Sequence, residues 1–308
     1  MLVLEASSYQ LELPGSLAPR CAAITNLTPD HLERHGALEA YAAAKCGVGK
    51  NMGEGQTLLV PAGAADGGDV VRAAVERAGL KCQVRTVGAA GDAAVRVDVP
   101  SRRVRLRLGG GDEWVDLAGL AELGDHNLTN AGVAVALARL ALGPGVATAG
   151  ALAEAARALR APRHRVERVV EVRGVLWVND SKATNVEASA VGVRAMGRRP
   201  TVVLLGGRAK RGTDGRLGFE RLAGALAGHR VVCFGEAGDD IHRELCVAGV
   251  AAARAGSLRD AMVEAARAVE EGGCVLLSPG CASFDEFRGF EHRGDVFCEI
   301  AAELAAAR

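Results

Sequence analysis

Short apolar runs alternate with helical stretches through the second half of the chain, and this alternation limits the possible folds more than any other feature. Ser257 is placed to cap one of these helices, and Gly272-Gly273 to end it after Glu271. A repeated strand–helix–strand order indicates a mainly parallel sheet, with ligand-binding loops at the carboxyl ends of its strands. The predicted strands are Val175–Val178, Thr201–Leu205, Val231–Phe234 and Cys274–Leu277.

The first half of the chain is also predicted to be α/β. Leu2–Leu4 has the apolar character of a buried strand, and this strand would end at Glu5. The break at Ala161-Pro162-Arg163 predicts a domain boundary, with domains at 1–162 and 163–308. The other predicted elements are helices at Leu38–Val48, His126–Leu142 (capped by Asn127) and Val146–Leu159, a strand at Thr57–Val60, and a hairpin of Val95–Val99 and Val104–Leu108.

Composition and charge exclude several classes of protein. Lys and Arg together number 37, as do Asp and Glu, so no nucleic acid or anionic membrane partner is expected. No run reaches the roughly 20 apolar residues that span a bilayer, and the first residues do not resemble a signal peptide. The eight cysteines form no CxxC pair, which argues against disulfides and a cysteine metal site. We therefore expect a cytoplasmic protein.

Three patterns resemble known motifs but do not meet them. Gly49–Asn51 lacks the Ser or Thr of a P-loop, and Gly206-Gly207 is not followed by the other glycines of a dinucleotide-binding motif. His31 and His35 are one helical turn apart, but the glutamate between them is misplaced for a zinc protease. A nicotinamide oxidoreductase and a zinc protease are therefore not indicated.

Two polar clusters directly follow predicted strands, namely Asn179–Thr184 and Ser278–Phe287. In the first cluster Asp180 could simply cap the next helix, but a cap does not require Lys182. In the second cluster Ser283 could cap a helix, and the free N–H groups of a helix start also bind carboxylates. Both clusters are therefore candidates for ligand binding.

Four other polar side chains each allow two interpretations. Glu5 at the end of a buried strand would need either a salt-bridge partner or a metal ion. His31 could be a ligand or a capping or solvated residue. Lys45 would ordinarily be a solvated helix lysine. Lys210 could be a loop lysine or an anion clamp.

Together these segments resemble the Mur ligases, ATP-dependent amide ligases of bacterial cell-wall synthesis. The similarity covers essentially the whole chain, and Ser278–Asp285 fits the members that add D-glutamate. The resemblance implies an α/β fold in which the remainder of a P-loop-type ATPase central domain is followed by a Rossmann-like C-terminal domain with a mainly parallel sheet. The motifs that carry it are Leu4–Glu12, Asn26–His35, Tyr41–Lys45, His126–Asn130, His164-Arg165, Asn179–Thr184 and Ser278–Phe290.

The resemblance also implies a role for each candidate residue. The implied catalytic residues are Lys45, His31, Glu5 and Lys182. The first three would also bind Mg²⁺, with Lys45 acting as an N-carboxylated lysine whose carbamate oxygens suit that ion; Asp30 would support this site. The residues implied for ATP are Asn130, Arg165 and Asp180. Those implied for the other substrates are Thr184, Lys210, Ser283 and Phe290.

The implied reaction adds D-glutamate to UDP-N-acetylmuramoyl-L-alanine, with ATP forming an acyl phosphate and Mg²⁺ as cofactor. We expect a monomer. The sequence contains neither the uridine-nucleotide-binding domain of the family nor its GTNGKT-type P-loop, so we expect an N-terminally truncated member. The alternative is a truncated, non-catalytic remnant or interaction module of the same family.

Overall fold

Two six-stranded sheets, one in each half of the chain, form the framework of the protein. The computed structural model describes residues 1–89, 91–109, 111–120, 125–159, 162–212 and 215–306. The chain divides into two units, Met1–Arg160 and Ala161–Arg308, each with its own sheet and apolar core. Both sheets are mainly parallel, which confirms the predicted α/β fold class. The predicted break includes Ala161, which lies outside the described residues.

The sheet of the first unit joins a parallel part to an antiparallel one. Its strands lie side by side in chain order: β1 (Cys21–Ala23), β2 (Thr57–Pro61), β3 (Gln83–Gly88), β4 (Val95–Asp98), β5 (Arg103–Leu106) and β6 (Glu113–Asp116). Strands β1 to β4 are parallel, and β4 to β6 are antiparallel. The predicted strand β2 and the predicted β4–β5 hairpin are thereby confirmed. Strands β3 and β6 were not predicted, because charged side chains interrupt their apolar pattern.

Six helices accompany this sheet: α1 (Ser8–Leu11), α2 (Leu32–His35), α3 (Leu38–Cys46), α4 (Gly68–Ala78), α5 (Asp125–Leu142) and α6 (Ala149–Arg157). Helix α3 confirms the prediction. Helix α5 begins before Asn127, so the prediction that Asn127 caps it was wrong. Helix α6 is shorter than predicted, because the Thr148 hydroxyl caps it by accepting the N–H of Ala151.

The prediction of a buried strand at Leu2–Leu4 was wrong. Met1, Leu2 and Val3 are 85% to 89% exposed, and Leu4 is 59% exposed. A strand requires a hydrogen-bonded neighbour, and within the described residues neither sheet includes this segment. Glu5 is exposed for the same reason, so it does not end a buried strand.

The sheet of the second unit is parallel except for one edge strand. Its strands are β7 (Glu167–Val172), β8 (Val175–Asn179), β9 (Thr201–Gly206), β10 (Arg230–Phe234), β11 (Ala252–Arg254) and β12 (Cys274–Leu277). They lie in the order β11-β10-β9-β12-β8-β7, and β7 is antiparallel to β8. The four predicted strands are confirmed. The two edge strands, β7 and β11, were not predicted.

Helices pack on both faces of this second sheet: α7 (Val186–Ala195), α8 (Ala223–Leu226), α9 (Gly238–Val247), α10 (Leu258–Ala268) and α11 (Phe290–Ala306). Alternate strand residues face opposite sides, so Val203 packs with α7 and α9, whereas Val202 packs with α10 and α11. Ser257 caps α10 as predicted. Strands β8, β9 and β12 lie side by side at the centre, so the loops after them meet at one edge.

Helix length and the state of the cysteines relate to two classes that the sequence disfavours, namely membrane-spanning and disulfide-linked proteins. Among the described helices, none combines the length and the apolar character that crossing a bilayer requires. All eight cysteines are free thiols, and most are buried or half-buried.

Candidate functional site

In the first unit, His31 is held in place by Asp30 and Tyr9. It precedes α2 with a left-handed backbone (φ 55°), and its N–H donates to Asp30 Oδ1 at 2.9 Å. Its Nε2 lies 3.7 Å from Asp30 Oδ2, and its Nδ1 lies 3.3 Å from the Tyr9 hydroxyl. A positive φ is strained for a non-glycine residue, so these contacts fix an unusual conformation. Its side chain makes no capping bond, which removes the capping interpretation.

His35 and Tyr41 form the buried floor next to His31. Their rings stack with centroids 5.2 Å apart, and the His35 side chain is 4% exposed. His35 Nε2 lies 3.1 Å from the Ser8 hydroxyl, which connects α1 to α2. Burial, and then the charge of Asp30, raises the pKa of Tyr41 to about 12, so its hydroxyl stays protonated. His35 therefore has a structural role.

Lys45 lies one turn after Tyr41 on α3 and is half-buried. Its Nζ is 4.9 Å from the centroid of the Tyr41 ring. Burial lowers the pKa of Lys45, although the negative charges of Asp30 and Glu5 act in the opposite direction. The interpretation as a solvated lysine therefore does not describe it. A lysine with a lowered pKa is more often present as the neutral amine, the form that reacts with CO₂.

The other two residues predicted for this unit are less closely placed. Glu5 is exposed, and its negative charge acts to raise the pKa of Lys45. Asn130 is exposed on α5, with its side chain 3.5 Å from that of Asn127. Across the described ranges, no three His, Cys, Asp or Glu side chains converge as a metal site.

In the second unit, the loop after β8 is folded back on His164. The amide nitrogen Nδ2 of Asn179 lies 2.9 Å from His164 Nδ1 and 3.2 Å from Glu167 Oε2. Asn179 Oδ1 accepts the N–H of Ser181, and the N–H of Lys182 donates to the His164 carbonyl. These hydrogen bonds therefore hold the loop against His164 and Glu167.

Asp180 is buried at the end of β8, with both carboxylate oxygens engaged. The Ser278 hydroxyl donates to Oδ2 at 2.7 Å, and the N–H of Val166 donates to Oδ1 at 3.2 Å. Burial raises the pKa of Asp180 to about 7, although both hydrogen bonds and the charge of Arg165 lower it. Helix α7 is capped by Asn185, whose Oδ1 accepts the N–H of Ala188, so Asp180 is not the helix cap.

Lys182 and Phe290 meet at this edge. Lys182 Nζ lies 3.9 Å from the centroid of the Phe290 ring, in the geometry of a cation–π contact. Phe290 is the first residue of α11, and its ring also lies edge-on to His164. Thr184 is half-buried just before α7. The loop after β8, which carries Asp180 and Lys182, thus meets the start of α11 at Phe290.

Arg293 was missed by the sequence analysis, although it connects the two polar loops. Its guanidinium is fully buried and donates to the hydroxyl and carbonyl of Ser181 and to the carbonyl of Cys281. Burial lowers its pKa to about 10. The remaining nitrogen, Nη1, has no hydrogen-bond partner among the described residues. The one feature of the sequence that could have pointed to Arg293 is its position three residues after Phe290.

Ser283 is buried, at 2% exposure, in the loop after β12. The next helix, α11, begins at Phe290, so Ser283 does not cap it and that interpretation was wrong. Its carbonyl instead accepts the N–H of Phe287 at 2.8 Å in a turn. This turn keeps Ser283 beside Cys281, where Arg293 anchors the loop.

Lys210 lies in the exposed loop after β9, between two arginines that are already paired. Arg208 contacts Glu236 at 3.0 Å, and Arg211 contacts Asp240 at 2.5 Å. Both arginines therefore contact carboxylates of the second unit. Arg165 is exposed between His164 and Val166, which both have positive φ values of 64° and 48°.

Both units of the chain are similar to known proteins. A family model described as the Mur ligase middle domain matches residues 1–138, and one described as the Mur ligase, glutamate ligase domain matches residues 164–281. The UDP-N-acetylmuramoylalanine–D-glutamate ligase of Rubrobacter xylanophilus is 41% identical, over 100% of this chain and 65% of its own length. The ligase of the same name from Thiobacillus denitrificans is 38% identical, over 99% of this chain and 60% of its own length.

Solved structures add a likeness of fold. The MurF ligase of Thermotoga maritima, solved in complex with ADP, superposes with a TM-score of 0.64 at 16% identity, covering 94% of this chain and 63% of that one. The chain spans less than two thirds of the length of the relatives named above. Two family models in succession and these whole-chain identities show that the chain belongs to the Mur ligase family and carries its middle and glutamate ligase domains.

Proposed function

We propose that this chain is part of an ATP-dependent ligase that adds D-glutamate to UDP-N-acetylmuramoyl-L-alanine during peptidoglycan precursor synthesis in the cytoplasm. The observation that carries this proposal is the identity of 38% to 41%, over essentially the whole chain, with ligases named for that reaction. The arrangement of Asp180, Lys182 and Phe290 at one sheet edge supports it.

In this proposal, the three carboxylates of the two substrates and the triphosphate of ATP meet, and the chain supplies local positive charge to hold them. Lys182 and Arg165 lie at the carboxyl edge of the second sheet, where they offset the charge that accumulates as the acyl phosphate forms. The amine of D-glutamate then attacks the acyl carbon, and phosphate leaves. Lys210, Ser283 and Thr184 are proposed to bind the carboxylates of the amino acid and of the acceptor.

Within the second unit, Asp180 and Arg165 are proposed to contact nucleotide. Asp180 keeps a second lone pair on each oxygen, which allows it to accept a further hydrogen bond. Within the first unit, Asn130 is proposed for the same kind of ligand.

Mg²⁺ is proposed to be held by Glu5, His31 and the carbamate of Lys45. The lowered pKa of Lys45 suits formation of a carbamate, and the oxygen donors suit Mg²⁺. When bound, the ion would neutralise phosphate oxygens. Tyr41 and Asp30 keep Lys45 and His31 in position for it.

A non-catalytic interaction module is not favoured as the alternative. The similarity to the named ligases runs through the whole chain. The chain also carries Lys45, Lys182 and Ser283, which an interaction module would not need.

The test is a phosphate-release assay with ATP, Mg²⁺ and UDP-N-acetylmuramoyl-L-alanine on the complete ligase that contains this chain. We expect release to depend on D-glutamate and to be far slower with L-lysine or diaminopimelate. A Lys182→Ala variant should lose activity, whereas Arg259→Ala, on the exposed face of α10, should retain it. Equal turnover with L-lysine would contradict the assignment.

A further inference from the structure

We propose that Ser278 is a positioning residue: its hydroxyl holds the Asp180 carboxylate against the N–H of Val166 and so fixes the backbone that presents Arg165. Ser278 is the first residue after β12, and Asp180 the first after β8. The two strands are parallel, with Leu277 paired to Asn179, so Ser278 and Asp180 are the next pair in register. Their contact is therefore set by the sheet.

The packing around this pair leaves the carboxylate little freedom. Ser278 is fully buried, and Asp180 is 6% exposed. On the side of α7, Gly192 faces both side chains, and a Cβ at that position would overlap the Asp180 carboxylate. A glycine is therefore required on this turn of the helix. With α7 behind it, the carboxylate is directed toward Ser278 and Val166.

Val166 is where this contact affects the backbone. It has φ 48°, a conformation that is a clear outlier for a β-branched residue. Such strain persists only when surrounding contacts impose it. The bond from Val166 N–H to Asp180 Oδ1 is one such contact, and the bond from the Lys182 N–H to the His164 carbonyl is another. These two bonds fix both sides of Arg165.

Arg165 itself is exposed, and it is the cation whose charge acts on Asp180. The direction of its Cα–Cβ bond is set by the backbone at His164 and Val166, because hydrogen bonds fix both of these neighbours. A chain of contacts therefore runs from Ser278 through Asp180 and Val166 to Arg165. Only its last step, from Arg165 to a nucleotide, rests on the proposed function.

The chain offers a matched control in Ser189. Its hydroxyl is also fully buried, but it donates to the Ser278 carbonyl at 2.8 Å, whereas the Ser278 hydroxyl donates to Asp180. Ser278→Ala and Ser189→Ala thus each remove one buried hydroxyl from the same layer. A merely structural role would make the two variants alike.

The experiment is an NMR titration of the full 308-residue chain with ¹³C-labelled aspartate and ¹⁵N-labelled backbone. Asp180 is assigned from the signal that is lost in Asp180→Asn. We expect Ser278→Ala to raise the midpoint of the Asp180 titration by at least about 0.5 pH unit, because a hydrogen bond to the charged form is lost. We also expect the amide signals of Arg165 and Val166 to shift. Ser189→Ala should change neither.

An unchanged Asp180 midpoint in Ser278→Ala, or an equal shift in Ser189→Ala, would overturn the proposal. Melting temperatures of both variants check that each is folded at the temperature used. The titration requires no nucleotide, so it is independent of the proposed function. ATP binding to the complete ligase that contains this chain tests that function separately: if ATP does not bind there, the nucleotide assignment fails while the titration still decides the role of Ser278.

Discussion

The ammonium group of Lys182 lies against the face of the Phe290 ring, 3.9 Å from its centroid, so the loop after β8 meets the start of α11. An aromatic ring below an ammonium group restrains it without neutralising its charge. The contact thus directs Lys182 while leaving its charge available to an anionic ligand.

Replacing Phe290 with Leu should weaken this restraint. A cation–π contact is worth about 0.5–2 kcal/mol, so we expect kcat/KM to fall about 2- to 30-fold. Phe290→Tyr keeps an aromatic face and should stay near the parent value. The control is Phe287→Leu, since Phe287 packs on His292 instead. Steady-state kinetics measure all three, and equal losses in the Tyr and Leu variants would contradict the role of the ring.

In the complete ligase that contains this chain, Lys45→Ala should abolish turnover, and added formate or acetate should restore part of it by occupying the place of the carbamate. Because burial lowers its pKa, Lys45 should also react with ¹³CO₂ more readily than an exposed lysine. Lys50, five residues further along and exposed, is the matched control. A ¹³C carbamate signal that survives Lys45→Ala and disappears in Lys50→Ala would contradict the prediction.

The central strands of the second unit could be predicted because parallel strands buried on both faces are continuous apolar runs. Edge strands such as β7 carry charged residues, so their sequence does not distinguish them from loops. Leu2–Leu4 shows the opposite error, because an apolar run is a strand only where a neighbour pairs with it. Sequence cannot show that neighbour.

The candidate site, like the fold, could be predicted from the sequence only in part. The loops at Asn179–Thr184 and Ser278–Phe287 could be found, because hydroxyls, acids and lysines cluster after apolar runs. Arg293 could not, because an arginine within a polar helical segment is usually solvated. Its burial results from α11 packing beneath both loops, a relationship between residues far apart in the chain.

Arg293→Met should destabilise the second unit by about 2–4 kcal/mol, because Ser181 and Cys281 lose buried hydrogen-bond donors. Arg259→Met, which breaks an exposed ion pair with Glu303, should cost less than about 1 kcal/mol. Urea unfolding followed by fluorescence measures both. Equal effects would show that burial of Arg293 contributes little.

Lys210→Ala should raise the KM for D-glutamate about 10- to 150-fold, the loss expected for one charge-assisted hydrogen bond, with little change in the KM for ATP. Arg208→Ala and Arg211→Ala, which break ion pairs with Glu236 and Asp240, are the controls. They should have smaller effects on the same constant, because the family resemblance assigns Lys210 to the amino-acid pocket. A larger effect from Arg208→Ala would move the assignment to that residue.

Asp180 should make the stability of the chain fall as pH rises through the acid-to-neutral range. Burial raises its pKa from the ordinary 3.8 to about 7, so between these values the folded chain binds more protons than the unfolded one. The free energy of unfolding therefore decreases with pH in this window and levels off above about 7.

Asp180→Asn cannot ionise, so its stability relative to the parent should improve by about 1–3 kcal/mol between pH 5 and pH 8. Asp239→Asn, which alters a carboxylate that is 73% exposed, should track the parent at every pH. Urea midpoints at the two pH values measure the difference. Parallel pH profiles for the parent and Asp180→Asn would mean that Asp180 is ionised in the folded chain throughout the range.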